Sequence, residues 1–383
     1  MSTVQQNFTI SDKKWQFWID RGGTFTDVIA CDPTGDIKTL KLLSENSSQY
    51  EDAALDAIRR LMGTDSDAPI NSEQIKSVKM GTTVATNALL ERKGDKTLLV
   101  ITKGFQDALR IGYQNRPRLF DLNVILPEQL YDKVVEVQER IGAHGDIITP
   151  LDLESIESEM KWAFHEGISS VAIVTMHGYR YPDHEQKIAA MAKEIGFSQI
   201  STSHETSPLM KLIGRGDTTV VDAYLSPILR RYIDRVQDAL GDTALYFMQS
   251  NGGLANANHF QGKDSILSGP AGGIVGAVKT AELSGFTKLI GFDMGGTSTD
   301  VSHYNGEYER TYETVVAGVR MRTPMMNIHT VAAGGGSILH YDGSRLRVGP
   351  DSAGANPGPA CYRNDGPLTV TDCNLLLGYI NAD

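Results

Sequence analysis

A chain of 383 residues is long enough for two or three domains with buried cores. Its formal net charge of −11, from 36 Lys and Arg against 47 Asp and Glu, repels nucleic acid and anionic membrane surfaces, so polyphosphate can bind only through local devices. Cys31, Cys361 and Cys373 are too few and too scattered for a disulfide framework or a zinc cluster, and no apolar run approaches the roughly 20 residues that cross a bilayer. A reducing, cytoplasmic setting with no nucleic-acid and no membrane partner is the expectation.

Residues 1–14 form a polar extension. Trp15 to Ile19 and Asp27 to Asp32 read as strands around a glycine turn, and Tyr50 to Met62 carries Leu55, Ile58 and Met62 at helical spacing. Thr97 to Thr102 is an apolar strand. A helix is predicted from Thr149, with Pro150 in its first turn, Asp152 completing a capping box and Gly167 ending it. Val171 to Met176 is a continuous apolar strand, and Pro182 to Ile195 a helix closed by Gly196. Thr218 to Leu240 is a long helix with Pro227 as an expected kink. Beyond it glycine-rich turns multiply, which puts a boundary near Arg215 and divides the chain into 15–214 and 215–383. Alternating strands and helices with buried strands predict an α/β fold.

The chemistry is carried by a repeat. Asp20-Arg-Gly-Gly-Thr-Phe-Thr-Asp27-Val28 returns as Asp293-Met-Gly-Gly-Thr-Ser-Thr-Asp300-Val301, so both copies read Asp-x-Gly-Gly-Thr-x-Thr-Asp-Val. Each follows an apolar strand and leads into another. A hairpin with a Gly-Gly tip exposes unpaired N–H groups and lets a ligand touch the main chain. Gly22, Gly23, Thr24, Gly295, Gly296, Thr297 and Ser298 are therefore candidate phosphate contacts, and Asp20 and Asp293 at the strand ends are candidate holders of a hydrated Mg²⁺. Two such tips facing each other would clamp a metal-bound triphosphate. Ordinary hairpin turns explain either copy alone, but not the recurrence.

Gly334-Gly335-Gly336-Ser337 can bring backbone close to a ring or ribose. Gly269-Pro270-Ala271-Gly272-Gly273 opens a helical pattern, where its amides could meet an anion or simply permit tight packing. Neither a Gly-x4-Gly-Lys-Ser/Thr loop nor a Gly-x-Gly-x-x-Gly turn between strand and helix is present.

Paired Asp-x-Gly-Gly-Thr hairpins with a later Gly-Gly-Gly-Ser resemble the actin-like ATPase superfamily. The resemblance implies an actin-like, ribonuclease H-like fold of two related halves with a nucleotide cleft between them. Longer phrases resemble the hydantoinase A and 5-oxoprolinase family: Trp18 to Asp27, Met80 to Gly94 (MGTTVATNALLERKG), Gly291 to Ser302 and Ser352 to Tyr362 (SAGANPGPACY). What this implies is ATP with Mg²⁺, and transfer of the γ-phosphoryl group to the amide oxygen of a cyclic amide such as 5-oxo-L-proline, followed by hydrolysis to glutamate.

Under the resemblance, Asp27 or Asp300 would orient the attacking group or merely cap its turn. Thr82, Thr83 and Asn87 become candidates for the cyclic substrate, although helix capping also explains the threonines. Arg110, Arg116 and Arg118 could grip a substrate carboxylate bidentately, or be solvated surface charges. The family's members continue past Val370 to Asp372, so a fragment, or a subunit needing a hydantoinase B-like partner, is expected, as is a homo-oligomer. Competing implications are an N-methylhydantoinase or hydantoinase A subunit, the ATP-consuming subunit of an acetone- or acetophenone-type carboxylase, and a nucleotide switch like actin or Hsp70.

Overall fold

The computed structural model describes residues 13–23, 25–44, 46, 49–66, 68–114, 120–354 and 356–381, so Thr24, Arg116 and Arg118 lie outside the described residues. The elements run β1 (Trp15–Arg21), β2 (Phe25–Cys31), β3 (Ile37–Leu43), α1 (Ala53–Met62), β4 (Ile75–Thr82), α2 (Val84–Leu90), β5 (Thr97–Thr102), α3 (Ala108–Ile111) and β6 (Lys133–Val137). A short hairpin β7 (Arg140–Ile141) and β8 (Ile147–Thr149) precedes α4 (Glu154–His165), β9 (Ser170–Val174), α5 (Asp183–Ile195), β10 (Gln199–Thr202) and α6 (Ser203–Thr206). Then come α7 (Leu212–Leu240), β11 (Ala244–Met248), β12 (Leu254–Asn256), α8 (Ser268–Leu283), β13 (Lys288–Met294) and β14 (Thr299–Asn305).

Two compact units emerge, one from residues 1–269 with 311–325 and the other from 270–310 with 326–383. The long helix α7 lies wholly in the first unit. It contacts β5, β9 and β10 on one side of its course and buries Leu229, Ile233 and Val236 in the core of β1 further on.

In the first unit a six-stranded sheet has the order β12-β11-β4-β1-β2-β3, and a four-stranded sheet the order β10-β9-β5-β6. β1 owes its form to alternation: Trp15, Phe17 and Ile19 are buried while the residues between them are less so. β5 and β9 are apolar runs buried at every position, as strands covered on both faces must be, and they pair in parallel. Asp52 caps α1 by accepting from the N–H groups of Ala54 and Leu55, and Gly63, at φ 72°, ends it.

The helix predicted from Thr149 begins later. Thr149 ends β8, and the α4 helix starts at Glu154, with Asp152 accepting from Ser155 N–H at 3.2 Å. Asp152 therefore caps the start rather than completing a box with Thr149, because the chain is still extended at Thr149 and pairs there with Arg140. A true capping box joins Thr369 and Asp372 before the helix Val370–Leu376. α7 runs through Pro227 without interruption.

Beyond the carboxyl ends of β5, β9 and β10 lies a buried polar network. The carboxylate of Glu185 accepts from Thr175 N–H at 2.9 Å, His204 N–H at 2.9 Å and the His204 ring at 2.7 Å. Arg215, 1% exposed, donates to Ser203 Oγ at 2.8 Å and to the carbonyls of Thr175 at 2.6 Å and Leu209 at 3.2 Å. Every polar atom taken from water here has a partner, which makes the cluster tolerable in a core. It pins the first turn of α7 to the sheet.

The second unit is built on the three-stranded sheet of β13, β14 and the strand His329–Val331. Ala271, Ile274 and Val278 of α8 pack with Tyr304 and Met326 on one face of it.

Candidate functional site

Both copies of the repeat fold into the same hairpin. β1 pairs antiparallel with β2 and sets Asp20 opposite Asp27; β13 pairs antiparallel with β14 and sets Asp293 opposite Asp300. Each tip closes alike, with Gly22 N–H donating to Phe25 O at 3.0 Å and Gly295 N–H to Ser298 O at 2.9 Å. Among the described residues, no hydrogen bond takes up the N–H groups of Gly23, Gly296 or Thr297. All three residues are exposed at a hairpin tip, and free backbone donors in such a turn can cradle an anion.

The threonine at the start of the second strand of each hairpin, second in β2 and first in β14, is buried and serves the tip from behind. Thr26 Oγ1 lies 3.0 Å from Ser44 Oγ, which donates to Gly22 O at 2.7 Å, and Thr299 Oγ1 donates to Ala333 O at 2.6 Å. Both threonines belong to the repeat pattern, so the signal was present in the sequence. Their supporting role was not.

The second aspartates are held by the third strand. Lys41, the register partner of Asp27 on β3, reaches both its carboxylate oxygens at 2.8 Å, and Thr330, the register partner of Asp300, donates to it at 2.7 Å.

Around the first tip the parallel pairing of β1 with β4 sets Asp20 beside Gly81 and Arg21 beside Thr82. Thr83 N–H donates to Arg21 O at 3.2 Å, and Asn87 at the next turn of α2 is 3.5 Å from Thr83 Oγ1. A methyl group on Gly23 would come within 3.5 Å of the Asn87 amide nitrogen. Asp20, Gly22, Gly23, Thr82, Thr83 and Asn87 are thus one cluster at the carboxyl ends of parallel strands, where open α/β sheets bind ligands. Ser268 joins it from the start of α8, donating to Thr82 O at 2.9 Å. Thr83 has no side-chain capping bond, whereas Thr82 Oγ1 accepts from Val84 N–H at 3.3 Å.

Around the second tip the glycine triplet docks on the hairpin itself. Gly335 N–H donates to Gly295 O at 2.9 Å and Gly336 N–H to Gly296 O at 2.7 Å, while Ser337 Oγ accepts from Gly334 N–H at 3.1 Å. A methyl group on Gly334 would stand 2.7 Å from Gly295 O, so glycine is required here by backbone-to-backbone approach. A cavity of about 230 Å³ beside this tip is lined by Asp293, Asp300, Ser302, Pro270 and Gly273.

Arg110 stands apart: no hydrogen bond among the described residues joins it to Thr82, Thr83 or Asn87. It lines a cavity of about 50 Å³ with Glu128, Tyr131, Asp217 and Arg320. Burial raises the Asp217 carboxyl above its usual range against the opposing pull of Arg320, 2.8 Å away. Burial, helped by Asp217, also raises the Tyr131 hydroxyl.

Asp20 Oδ1 sits so close to bare backbone that a methyl group on Gly81 would come within 3.0 Å of it and one on Gly269 within 3.7 Å. Among the described residues no group of three His, Cys, Asp or Glu could hold a metal alone. Exposed single carboxylates nevertheless fit Mg²⁺, which takes one or two protein oxygens and completes its shell with water and phosphate. No described helix is long and apolar enough to cross a membrane.

Comparison with known proteins shows the family of the chain. The hydantoinase/oxoprolinase N-terminal region model matches residues 16–196, and the hydantoinase/oxoprolinase model matches residues 215–383. The chain is 46% identical to 5-oxoprolinase 1 of Arabidopsis thaliana over 98% of its own length and 32% of that protein. Among solved structures, the ATP-dependent caprolactamase from Pseudomonas jessenii aligns with a TM-score of 0.80 at 34% identity, over 96% of this chain and 55% of that one. The nucleotide-free acetone carboxylase aligns with a TM-score of 0.74 at 25% identity, over 96% and 55%. The chain therefore spans about a third of the 5-oxoprolinase and about half of each solved chain. With its α/β, actin-like architecture and two copies of the Asp-x-Gly-Gly-Thr hairpin, the chain belongs to the hydantoinase/oxoprolinase family.

Proposed function

We propose that this chain is the ATP-binding, phosphorylating part of an ATP-dependent enzyme that opens a cyclic amide, with 5-oxo-L-proline as the substrate. The observation that carries the reading is the matched pair of hairpin tips, each with exposed N–H groups that no hydrogen bond takes up among the described residues and an aspartate next to last in its first strand. The relatedness to 5-oxoprolinase 1 and to an ATP-dependent caprolactamase supports the substrate class.

An unstrained lactam resists water, and converting its oxygen to a phosphate leaving group supplies the driving force. ATP gives up its γ-phosphoryl group to the amide oxygen, a first water adds at the ring carbon and the C–N bond breaks to leave a free amine and an acyl phosphate, and a second water releases phosphate to give glutamate. Such transfer asks little covalent help of the protein, only positioning and charge neutralisation. In this reading the N–H groups of Gly23, Gly296 and Thr297 receive phosphate oxygens, while Asp20 and Asp293 hold the waters of Mg²⁺. The bound cation would offset phosphate charge. Thr83 and Asn87 would orient the ring, and a hydantoinase B-like domain or subunit would complete the hydrolysis.

The test is phosphate release from ATP by this chain with a hydantoinase B-like partner, with 5-oxoproline, hydantoin or acetone added in turn. Stimulation by 5-oxoproline alone is expected. Stimulation by acetone instead would favour a carboxylase, the second reading that the acetone carboxylase likeness supports. Indifference to all three would remove the amide chemistry.

A further inference from the structure

The N–H groups of Gly334, Gly335 and Gly336 are all taken within the chain. Gly334 N–H goes to Ser337 Oγ at 3.1 Å, Gly335 N–H to Gly295 O at 2.9 Å and Gly336 N–H to Gly296 O at 2.7 Å. Their carbonyls accept in turn from the N–H groups of Ser337 at 3.1 Å, Thr371 at 2.8 Å and Ala353 at 2.8 Å. The triplet is therefore a splint, bonded to the second tip on one edge and to Ala353 and Thr371 on the other. Aligning Asp20 with Asp293 sets Gly22 against Gly295, and Gly22 O is likewise held from behind, by the Ser44 hydroxyl at 2.7 Å. Both copies of the repeat fix the same carbonyl, the first with one side chain and the second with a layer of backbone.

That layer is set by the start of the helix Val370–Leu376. Asp372 is its third residue, and a capping box asks one bond of it, from the Thr369 N–H, which lies at 2.7 Å. The carboxylate accepts three more, from Thr369 Oγ1 at 2.9 Å, Ala360 N–H at 3.2 Å and Cys361 N–H at 2.6 Å. One side chain thus ties the helix start to the turn Ala360–Tyr362. Burial pulls the other way, but the bonds from Cys361 and Thr369 hold the Asp372 carboxyl down to about 2, so it remains an anion that only accepts. Between the two tied residues stands Thr371, and its contact with the triplet is close. A methyl group on Gly335 would come within 2.5 Å of Thr371 Oγ1, whereas the next atoms, Gly295 O and Thr371 Cβ, stand at 3.7 and 3.8 Å.

We propose that Asp372 is a positioning residue for the second tip. It fixes the helix start, Thr371 fixes Gly335, and Gly335 fixes the Gly295 carbonyl together with the exposed N–H groups of Gly296 and Thr297 that follow it. Asp372 acts through the triplet and not on the nucleotide itself. The consequence for ATP rests on the proposed function, whereas the line of contacts does not.

The experiment compares Asp372→Asn, which turns an amide NH₂ toward one of these donors, with Asp342→Asn. Asp342 belongs to the same compact unit and is bonded as heavily, by Ser344 N–H at 3.0 Å, Ser344 Oγ at 2.8 Å and Arg345 N–H at 3.0 Å, in a turn with no hydrogen bond to the triplet among the described residues. Asp372→Asn should speed amide exchange at Gly335 and Gly336 and weaken Mg²⁺-ATP binding at least about 10-fold, the scale of a lost bond to a charged group. Asp342→Asn should do neither, whatever it does to the Tm. Equal effects in the two variants would make Asp372 a general stabiliser and overturn the proposal, as would unchanged exchange at Gly335 in Asp372→Asn. A wild-type chain that binds no Mg²⁺-ATP would sink the proposed function, and the exchange comparison would still decide this inference.

A second pair of variants serves where Asp372→Asn does not fold. Gly335→Ala should speed exchange at Gly336 and weaken Mg²⁺-ATP binding, and adding Thr371→Ala, which removes the hydroxyl that meets the new methyl, should restore both. Absence of recovery in the double variant would show that Thr371 does not set the triplet, against the proposal.

Discussion

Lys41 Nζ lies 2.8 Å from both carboxylate oxygens of Asp27, its register partner across the sheet. Thr330 does the same service for Asp300. Two unrelated side chains brace the same position of the repeat, which supports the proposal that these aspartates hold the hairpin while Asp20 and Asp293 serve the ligand. The exposed Lys41 pair is worth no more than about 1 kcal/mol. Asp27→Asn should therefore change ATP turnover by only a few-fold, while Asp20→Asn in the complete enzyme lowers it by roughly 10²–10³, the scale of lost transition-state electrostatics. Equal losses in the two variants would return Asp27 to the chemistry.

Gly334→Ala offers a test of the tip's backing. The added methyl would meet Gly295 O at 2.7 Å and the Gly296 carbonyl carbon at 2.8 Å, both backbone atoms that cannot swing aside. A stability loss of about 1–3 kcal/mol is expected, with weaker ATP binding because the tip itself is displaced. Gly276→Ala, whose methyl would meet nothing within 4 Å, is the control and should be neutral or slightly stabilising. Denaturant titration of both variants decides it.

Much of the site was legible because the sequence repeats itself. The two hairpins follow from one repeated pattern, whereas Thr83 and Asn87 were candidates only through the family resemblance, and their closeness to the first tip is a finding of the structure. What stayed hidden depends on contacts distant in sequence. Nothing in Gly334 to Gly336 announces that two of its N–H groups are taken by Gly295 and Gly296, and Arg215, which marked only a boundary in the sequence, is buried by contacts to Thr175, Ser203 and Leu209. The start of α4 was misplaced because Thr149, Pro150 and Asp152 imitate a helix entry while Thr149 still belongs to a strand pair. Local propensity yields to tertiary pairing there.

The buried network makes a pH prediction. Glu185 hydrogen-bonds the His204 ring and raises its pKa above the ordinary value of 6.5, against a smaller lowering by burial. A group whose folded pKa is raised adds stability that is fully present below its unfolded pKa and is lost as pH rises through the folded value. Urea unfolding should show stability falling from pH 6 upward through that raised value, and His204→Gln should flatten this part of the profile. An unchanged slope in the variant would place the titration elsewhere.

Removing the cation at the centre of the same network should be costly. Arg215→Ala leaves the carbonyls of Thr175 and Leu209 and the Ser203 hydroxyl without their guanidinium partner, a loss of about 1–3 kcal/mol for buried groups left unpaired. Calorimetry should find a large fall in Tm, with ATP affinity per folded molecule retained, since none of these groups belongs to either tip.

The central claim is that both hairpin tips serve the same nucleotide. Isothermal titration of Mg²⁺-ATP into the wild-type chain, Asp20→Asn, Asp293→Asn and the double variant tests it most directly. The predicted result is a single saturable site per chain, weakened by either substitution, with losses that do not simply add in the double variant. Two sites per chain, or full affinity after either single substitution, would contradict it.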